Sequence, residues 1–133
     1  MGGLVAVRVA ARLPERVRRL VLVATSGGVD VRGLGGADWA EDYRREYPNA
    51  AGWISAEQAD QSDEFRRIAA PTLLIWGDRD PTSPVAVGRD LARLIPDATL
   101  RVIPGGTHNL GHDGPAAVAP LIAAHLRPDP RVS

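Results

Sequence analysis

Ser26, Asp80 and His108 each follow a short apolar run of the chain. Their side chains offer a hydroxyl, a carboxylate and an imidazole, the groups that carry nucleophilic and acid–base catalysis. A histidine that takes a proton from a hydroxyl needs a carboxylate on its other ring nitrogen, because the carboxylate fixes the tautomer and stabilises the imidazolium. Asp80 and His108 meet that need if their loops lie side by side. The pattern therefore predicts an acid–base pair of Asp80 and His108.

The candidate residues also have structural interpretations. Asp80 could cap a turn ahead of the next helix, but a suitable histidine favours the catalytic interpretation. A solvated loop position is favoured for His112 over proton shuttling, and His125 lies near the negative end of a helix dipole. The spacing of His108, His112 and Asp113, together with Asp80, could imitate a metal site, but a third strong ligand in a rigid motif is missing. We therefore expect neither a metal nor another cofactor.

The elements that must position these residues alternate along the chain. Apolar runs bounded by turn residues are typical of strands buried on both faces of a parallel sheet. Three such runs span residues 20–24, 72–76 and 99–103. A mostly buried helix is predicted over residues 2–13, with further helices over 85–95 and 115–126 and a frayed tail at 127–133. This order predicts an α/β fold with right-handed crossovers, whose polar loops meet at the carboxyl edge of the sheet, where open sheets bind ligands.

Residues 29–69 have a different composition and contain five of the six aromatic side chains. Trp39, Tyr43 and Tyr47 are spaced four residues apart, so a short helix over residues 38–47 would carry all three rings on one face. Packing of these rings on the strand layer is favoured over a role in lining a substrate site.

The composition excludes several classes of protein. The 133 residues, 44% of them apolar, are enough for one small domain with a modest core. Sixteen basic and sixteen acidic residues cancel, so no long-range field favours nucleic acid or an anionic membrane surface. The chain has no cysteine, and no apolar segment approaches the ~18 residues of a membrane span. We expect a cytoplasmic protein without nucleic-acid or membrane partners.

Two of the loops carry motifs that resemble those of the α/β-hydrolase fold family. Residues 71–80 match the pattern P-T-L-L-x-x-G-x-x-D that precedes the family's acid, and the spacing selects Asp80 over Asp78. His108 stands in the G-x-H context of the family's base and precedes the final helix, in the family's chain order of acid before base. The resemblance implies a serine-hydrolase-type esterase with a partial α/β-hydrolase fold of about three strands. The chain would then be a single domain, with residues 29–69 as a lid-like insert.

The resemblance also implies a missing serine. Met1, Gly2 and Gly3 are similar to the family's sequence directly after the nucleophile of the G-x-S-x-G elbow. Met1 and Gly2 would then stand at the family's oxyanion-binding position, where the residue after the serine gives its backbone N–H. Here the nitrogen of Met1 is a free amine and the nucleophile is absent, so unaided activity is not expected. Ser26, followed by two glycines, is a substitute nucleophile, although a turn serine is the favoured interpretation. Ser83 is predicted to cap the next helix.

Two function classes stay open. The first is a hydrolase acting on an ester or related acyl bond of a small substrate, with Asp80 and His108 as its acid–base pair. The second is a non-catalytic remnant, or an assembly or ligand-binding module. In the family, the strand at residues 20–24 pairs with the strand that leads to the elbow, so its edge is expected to be bare here. A bare apolar edge recruits another edge, which predicts a homo-oligomer.

Overall fold

The computed structural model describes residues 2–56 and 59–127. Its elements are, in chain order, α1 (Gly2–Arg12), β1 (Leu20–Val23), α2 (Ala40–Glu46), α3 (Ser62–Arg66), β2 (Thr72–Gly77), α4 (Val85–Leu94), β3 (Ala98–Ile103), α5 (Leu110–Asp113) and α6 (Pro115–Leu126), with 3₁₀ turns at Pro14–Arg16 and Gly52–Ile54. The predicted frayed tail lies outside the described residues except for Arg127. No helix in the two described stretches has the length and apolar character that crossing a membrane requires.

The three strands form one parallel sheet with β2 in the centre. Leu20 of β1 pairs with Thr72 of β2, which pairs with Ala98 of β3, so the strands begin at the same level. All six residues of β2 are buried, because β2 has a neighbour on each edge and helices on both faces. The predicted short parallel sheet flanked by helices is confirmed.

Alternate residues of β2 point to opposite helix layers, as the pleat of a strand requires. Leu74 and Trp76 face α1, α3 and α4, and share one core cluster with Phe65 of α3. Leu73 and Ile75 face the other side, where α5 and α6 close a second cluster. The carboxyl end of the sheet is thus held between two helix layers, and the loops that leave it begin from rigid positions.

Two burial predictions were wrong. β3 was expected to be buried on both faces, but it is the edge of the sheet and 41% of Val102 is exposed. α1 was expected to be mostly buried, yet only Leu4, Val7 and Ala10 are buried, while Val5 is 60% exposed. Both errors have one cause: an apolar run predicts that a segment can be buried, and the neighbours decide whether it is.

The predicted aromatic helix is present, but its rings pack differently from the prediction. α2 covers Ala40–Glu46. Along it Trp39 contacts Tyr43 edge to face and Tyr43 contacts Tyr47 at a tilt, with ring centroids 5.5 and 5.0 Å apart. None of the three rings is buried or belongs to either core cluster. The prediction that they pack on the strand layer was therefore wrong. Phe65, from the same insert, is fully buried in the core.

Candidate active site

Asp80 and His108 lie at adjacent ends of two paired strands. Gly77 ends β2 and Ile103 ends β3, and the two residues are register partners. The loops that follow bring Nδ1 of His108 to 2.8 Å from Oδ2 of Asp80. The Asp80 side chain is fully buried, whereas 38% of the His108 side chain is exposed. The structure therefore brings the two predicted residues into hydrogen-bond contact, with the imidazole on the solvent side.

Both carboxylate oxygens of Asp80 are in use. Oδ2 accepts the Nδ1–H of His108, and Oδ1 accepts the backbone N–H groups of Thr82 and Ser83, each at 2.9 Å. Asp80 thus caps its own turn and binds His108 at the same time. A carboxylate can only accept, so Nδ1 carries the proton and Nε2 of the neutral ring presents its lone pair. No described residue occupies Nε2, which leaves it available to take a proton.

Ser83 ties the Asp80 loop to the loop after β1. Its hydroxyl donates to the carbonyl of Thr25 at 3.1 Å, and its own carbonyl accepts the indole N–H of Trp76 at 2.9 Å. The predicted helix-capping role was wrong, because Pro84 occupies the N-cap position of α4 and no side chain caps that helix. The loops after β1, β2 and β3 lie at the carboxyl edge of the sheet and are called the rim loops below. The fully buried Ser83 connects two of them.

Ser26 lies in a tightly bent loop after β1. Ala24 has φ +45°, and Gly27 and Gly28 follow Ser26 with φ +101° and +75°. A left-handed alanine is uncommon and costs about 1 kcal/mol or more, so the surrounding structure must hold the bend in place. No hydrogen bond among the described residues joins Ser26 to His108. The structure thus brings Asp80 and His108 into contact, and no hydrogen bond among the described residues connects Ser26 to that pair.

A cavity of about 360 Å³ opens beside Ser26, between α1 and the insert. Its apolar wall is formed by Leu4, Val29, Val31, Ala37, Trp39, Ala40, Ile54 and Ala56. Its polar wall is formed by Ser26, Gly27, Asp30, Arg32, Asp38, Ser55 and Asp60. Arg32 and Asp38 form an ion pair at 2.7 Å. Asp80 and His108 do not line this cavity, so the space beside Ser26 and the acid–base pair are separate features of the same rim.

The start of α1 approaches the same loop. Gly3 faces Thr25 so closely that an added Cβ would lie 2.6 Å from the Thr25 hydroxyl oxygen. Gly2 is the exposed first residue of the helix, whose first turn contains no acidic side chain. Met1, the other residue predicted to bind an oxyanion, lies outside the described residues.

The other two histidines have local partners. His112 is exposed, and its Nδ1 contacts Asp113 at 3.0 Å. Hydrogen bonds from His112 and then Thr107 lower the pKa of Asp113. His125 donates from Nε2 to the carbonyl of Pro71 at 3.2 Å, which fastens α6 to the start of β2. Within residues 2–56 and 59–127, no group of three or more acidic or histidine side chains is arranged to hold a metal ion.

Sequence reasoning missed two residues that build this rim. Ser83 was assigned to the helix, although its hydroxyl reaches back 58 residues to Thr25. Asp78 was passed over in favour of Asp80, yet its Oδ1 accepts the N–H of Gly105 at 2.6 Å. Each partner is a backbone group from another loop. Motif spacing gives no signal for such contacts.

Sequence comparison gives two findings. The alpha/beta hydrolase fold family matches residues 26–115, more than half of the chain. A non-heme chloroperoxidase of Kitasatospora aureofaciens is 36% identical over 52 residues, which are 38% of this chain and 19% of that protein.

Solved structures resemble most of the chain. A metagenomic alpha/beta hydrolase from Mar Chica lagoon sediments has 27% identity and a TM-score of 0.70 over 92% of this chain and 56% of its own. A thermophilic esterase of Thermogutta terrifontis has 24% identity and a TM-score of 0.72 over 92% of this chain and 60% of its own. The chain thus spans about three fifths of these two solved proteins.

The parallel sheet, the order of its loops and the length of the family match lead to the same assignment. The chain belongs to the α/β-hydrolase fold family.

Proposed function

We propose that this chain contributes the acid–base pair of a serine hydrolase that acts on an ester or related acyl bond. His108 is the general base and Asp80 is the acid that orients it. The observation that carries the proposal is the 2.8 Å contact between Nδ1 of His108 and Oδ2 of the buried Asp80. Nδ1 is thus engaged by Asp80, and 38% of the His108 side chain stays exposed, so the proposal assigns proton transfer to Nε2.

The proposed reaction has two halves, acylation of the serine and hydrolysis of the acyl-enzyme, and each half has two proton transfers. Nε2 of His108 takes the serine hydroxyl proton while the serine oxygen bonds to the acyl carbon. The imidazolium, stabilised by Asp80, then gives that proton to the leaving alcohol as the ester C–O bond breaks. A water molecule repeats the sequence: its proton goes to Nε2, its oxygen bonds to the acyl carbon, and the proton returns to the serine as the acid leaves. The backbone N–H groups of Met1 and Gly2 are proposed to stabilise the oxyanion where a peptide bond joins Met1 to the proposed serine.

The nucleophile is proposed to be a serine carried by a strand and turn that precede α1, in the same protein or in a partner chain. Ser26 is the substitute candidate. Its place on the cavity wall and the bent backbone around it support that role, while the absence of a hydrogen bond to His108 among the described residues argues against it.

The proposed substrate is small. A cavity of about 360 Å³ lies at the lower end of the roughly 300–1,000 Å³ typical of small-molecule sites. Its wall combines aliphatic groups with the Trp39 ring, which suits an apolar acyl or alcohol portion. In this proposal residues 29–69 act as a short lid over a single domain. The protein works in the cytoplasm on a soluble substrate, without a nucleic-acid partner.

Labelling with a fluorophosphonate tests the acid–base role. The experiment uses the protein together with the segment or partner chain proposed to carry the serine, called the full-length protein below. It should gain one adduct by intact mass, located on a serine by peptide mapping, and the His108→Ala variant should gain none. His112→Ala removes an exposed histidine from the same segment and should label as the wild type does. Equal labelling of the His108→Ala protein would overturn the proposal. Retained labelling in Ser26→Ala would assign the nucleophile to another serine.

One observation favours a second function. The cavity wall contains neither Asp80 nor His108, as expected for a ligand-binding module without catalysis. In that case an apolar fluorescent probe should bind equally to the wild type and to His108→Ala, and Trp39→Ala should weaken its binding. No ester hydrolysis should accompany binding.

We also propose that the 133-residue chain, without the strand proposed to carry the serine, self-associates through β1. Among the described residues this strand has one neighbour, β2, and the adjoining α1 exposes Val5 and Val9 at 60% and 41%. A second copy that pairs with the open edge would satisfy its backbone groups and cover these side chains.

A further inference from the structure

The loops after β2 and β3 are joined just ahead of the Asp80–His108 pair. The backbone N–H of Asp78 donates to the carbonyl of Ile103 at 3.3 Å, and the N–H of Arg79 donates to the carbonyl of Gly106 at 2.9 Å. These two bonds continue the pairing of β2 and β3 beyond the ends of the strands. The two loops therefore share one hydrogen-bonded frame.

The Asp78 side chain closes this frame. Its Oδ1 accepts the N–H of Gly105 at 2.6 Å, across 27 residues of sequence. Gly105 has φ +74°, a conformation that glycine adopts without strain. Next to this contact the backbones of Gly77 and Gly106 touch, and a Cβ on Gly77 would overlap the Gly106 carbonyl. The turn that leads to His108 is therefore fixed against the end of β2 by one carboxylate and by close backbone contact.

The His108 ring has little else to hold it. Among the described residues, Asp80 is the one hydrogen-bond partner of the His108 side chain, and 38% of that side chain is exposed. Its position must then follow the backbone of residues 104–108. Asp78 acts on that backbone three residues before His108.

We propose that Asp78 is a positioning residue for His108: its carboxylate fixes the Gly105 turn and so keeps Nδ1 of His108 within reach of Asp80. Asp78 touches no reacting atom. Its effect on catalysis rests on the proposed function, but its effect on the Asp80–His108 contact does not.

The ¹H NMR signal of the Nδ1–H of His108 reports that contact directly, because a proton bonded to a carboxylate is shifted downfield and protected from exchange. In the 133-residue chain the wild type should show the signal and Asp78→Ala should lose it. Asp78→Asn should keep it, since an amide oxygen can still accept the Gly105 N–H. Asp97→Ala removes an exposed aspartate just before β3 and should leave the signal unchanged.

Gly105→Ala gives a second route if Asp78→Ala does not fold. An added Cβ at Gly105 meets nothing within 4 Å, so this change strains only the positive φ of the turn. It should weaken the Nδ1–H signal while Asp78 is intact. If the signal stays unchanged in every folded variant of Asp78 and Gly105, Asp78 is not a positioning residue.

Activity of the full-length protein supplies a separate readout. Misplacing a catalytic group by about 1 Å can cost on the order of a hundredfold in rate, so Asp78→Ala should lower kcat by about ten- to a hundredfold and leave KM unchanged. Asp78→Asn should recover most of that loss. A wild type without the Nδ1–H signal would contradict the Asp80–His108 pair itself, and with it the proposed function. A wild-type signal that persists in Asp78→Ala, with unchanged kcat, would overturn only the role of Asp78.

Discussion

At the scale of single residues, the proposed chemistry depends on how one carboxylate divides its hydrogen bonds. Oδ1 of Asp80 holds the turn through Thr82 and Ser83, and Oδ2 holds the ring of His108. In the proposed mechanism one oxygen therefore stabilises the turn and the other orients the base. A substitution can disturb one function without the other.

Asp80→Asn should separate the role of Oδ1 in the turn from the role of Oδ2 at His108. The amide oxygen can keep accepting the N–H groups of Thr82 and Ser83, which leaves the NH₂ group facing Nδ1 of His108. The ring must then accept at Nδ1 and carry its proton on Nε2, the wrong tautomer for a base. We expect near wild-type thermal stability and a fall in kcat of about 10⁴-fold, as for the corresponding change in a serine protease triad.

Asp80→Ala is the comparison, because it also leaves two backbone N–H groups without an acceptor, at about 1–3 kcal/mol each. It should lower both Tm and kcat. Equal Tm values for the alanine and asparagine variants would contradict the structural role given to Oδ1.

At the scale of elements, backbone shape decides where the rim loops go. Gly28 has φ +75°, and its Cβ position lies 3.0 Å from Leu4 Cδ2 and 3.1 Å from Phe65 Cε2. The chain after Ser26 must therefore turn in a left-handed conformation directly above the core.

Gly28→Ala should destabilise the protein by roughly 1–3 kcal/mol, since it combines φ strain with a clash. Gly35→Ala is a matched control: its φ is +91°, but an added Cβ meets nothing within 4 Å. Gly35→Ala should lower the free energy of unfolding by less than Gly28→Ala does, because it adds φ strain without a clash. Urea denaturation midpoints measure both. An equal loss in the two variants would show that packing around Gly28 contributes nothing.

The contact between α1 and α3 predicts a dependence on pH. Arg12 donates to Oε1 of Glu64, and this hydrogen bond lowers the pKa of the Glu64 carboxyl. A lowered pKa in the folded state means that the stabilisation is present above the unfolded pKa, about 4.3 for a glutamate, and is lost as the pH falls through the folded value.

The difference in unfolding free energy between wild type and Glu64→Gln should therefore shrink as the solution is acidified. Asp63→Asn, an exposed carboxylate on the same helix, is the control. A difference that stays constant down to the acid transition would contradict the assigned role of Glu64.

The elements could be predicted from the sequence because their signals are local. The run of residues 73–76 is continuous and apolar, which is typical of a buried strand, and the structure agrees. The exposure of β3 depends on how many strands the sheet has, and that number is not encoded in the residues of β3. The Asp80–His108 contact could be predicted because parallel strands bring the loops after them to one edge. The contacts of Asp78 and Ser83 could not, because their partners are backbone groups in distant loops.

At the scale of the whole molecule, the open edge of β1 matters most. Leu20 and Ala24 donate their N–H groups to β2 and its flanks. Strand residues alternate in the direction of their backbone groups, so the N–H groups of Val21 and Val23 face the open edge.

Val21→Pro should therefore block pairing with a second copy and leave the β1–β2 ladder intact, because it removes an outward-facing donor. Sedimentation velocity of the 133-residue chain should find the wild type associated and the variant monomeric, with similar circular dichroism. A monomeric wild type would contradict self-association through this edge.

The central claim is that Asp80 and His108 act as one unit, and a double-mutant comparison in the full-length protein tests it most directly. Residues that act together lose function non-additively. We predict that His108→Ala lowers kcat for a small ester by several orders of magnitude, and that adding Asp80→Ala to it lowers kcat no further. Independent losses that multiply in the double variant, or full activity in His108→Ala, would contradict the claim.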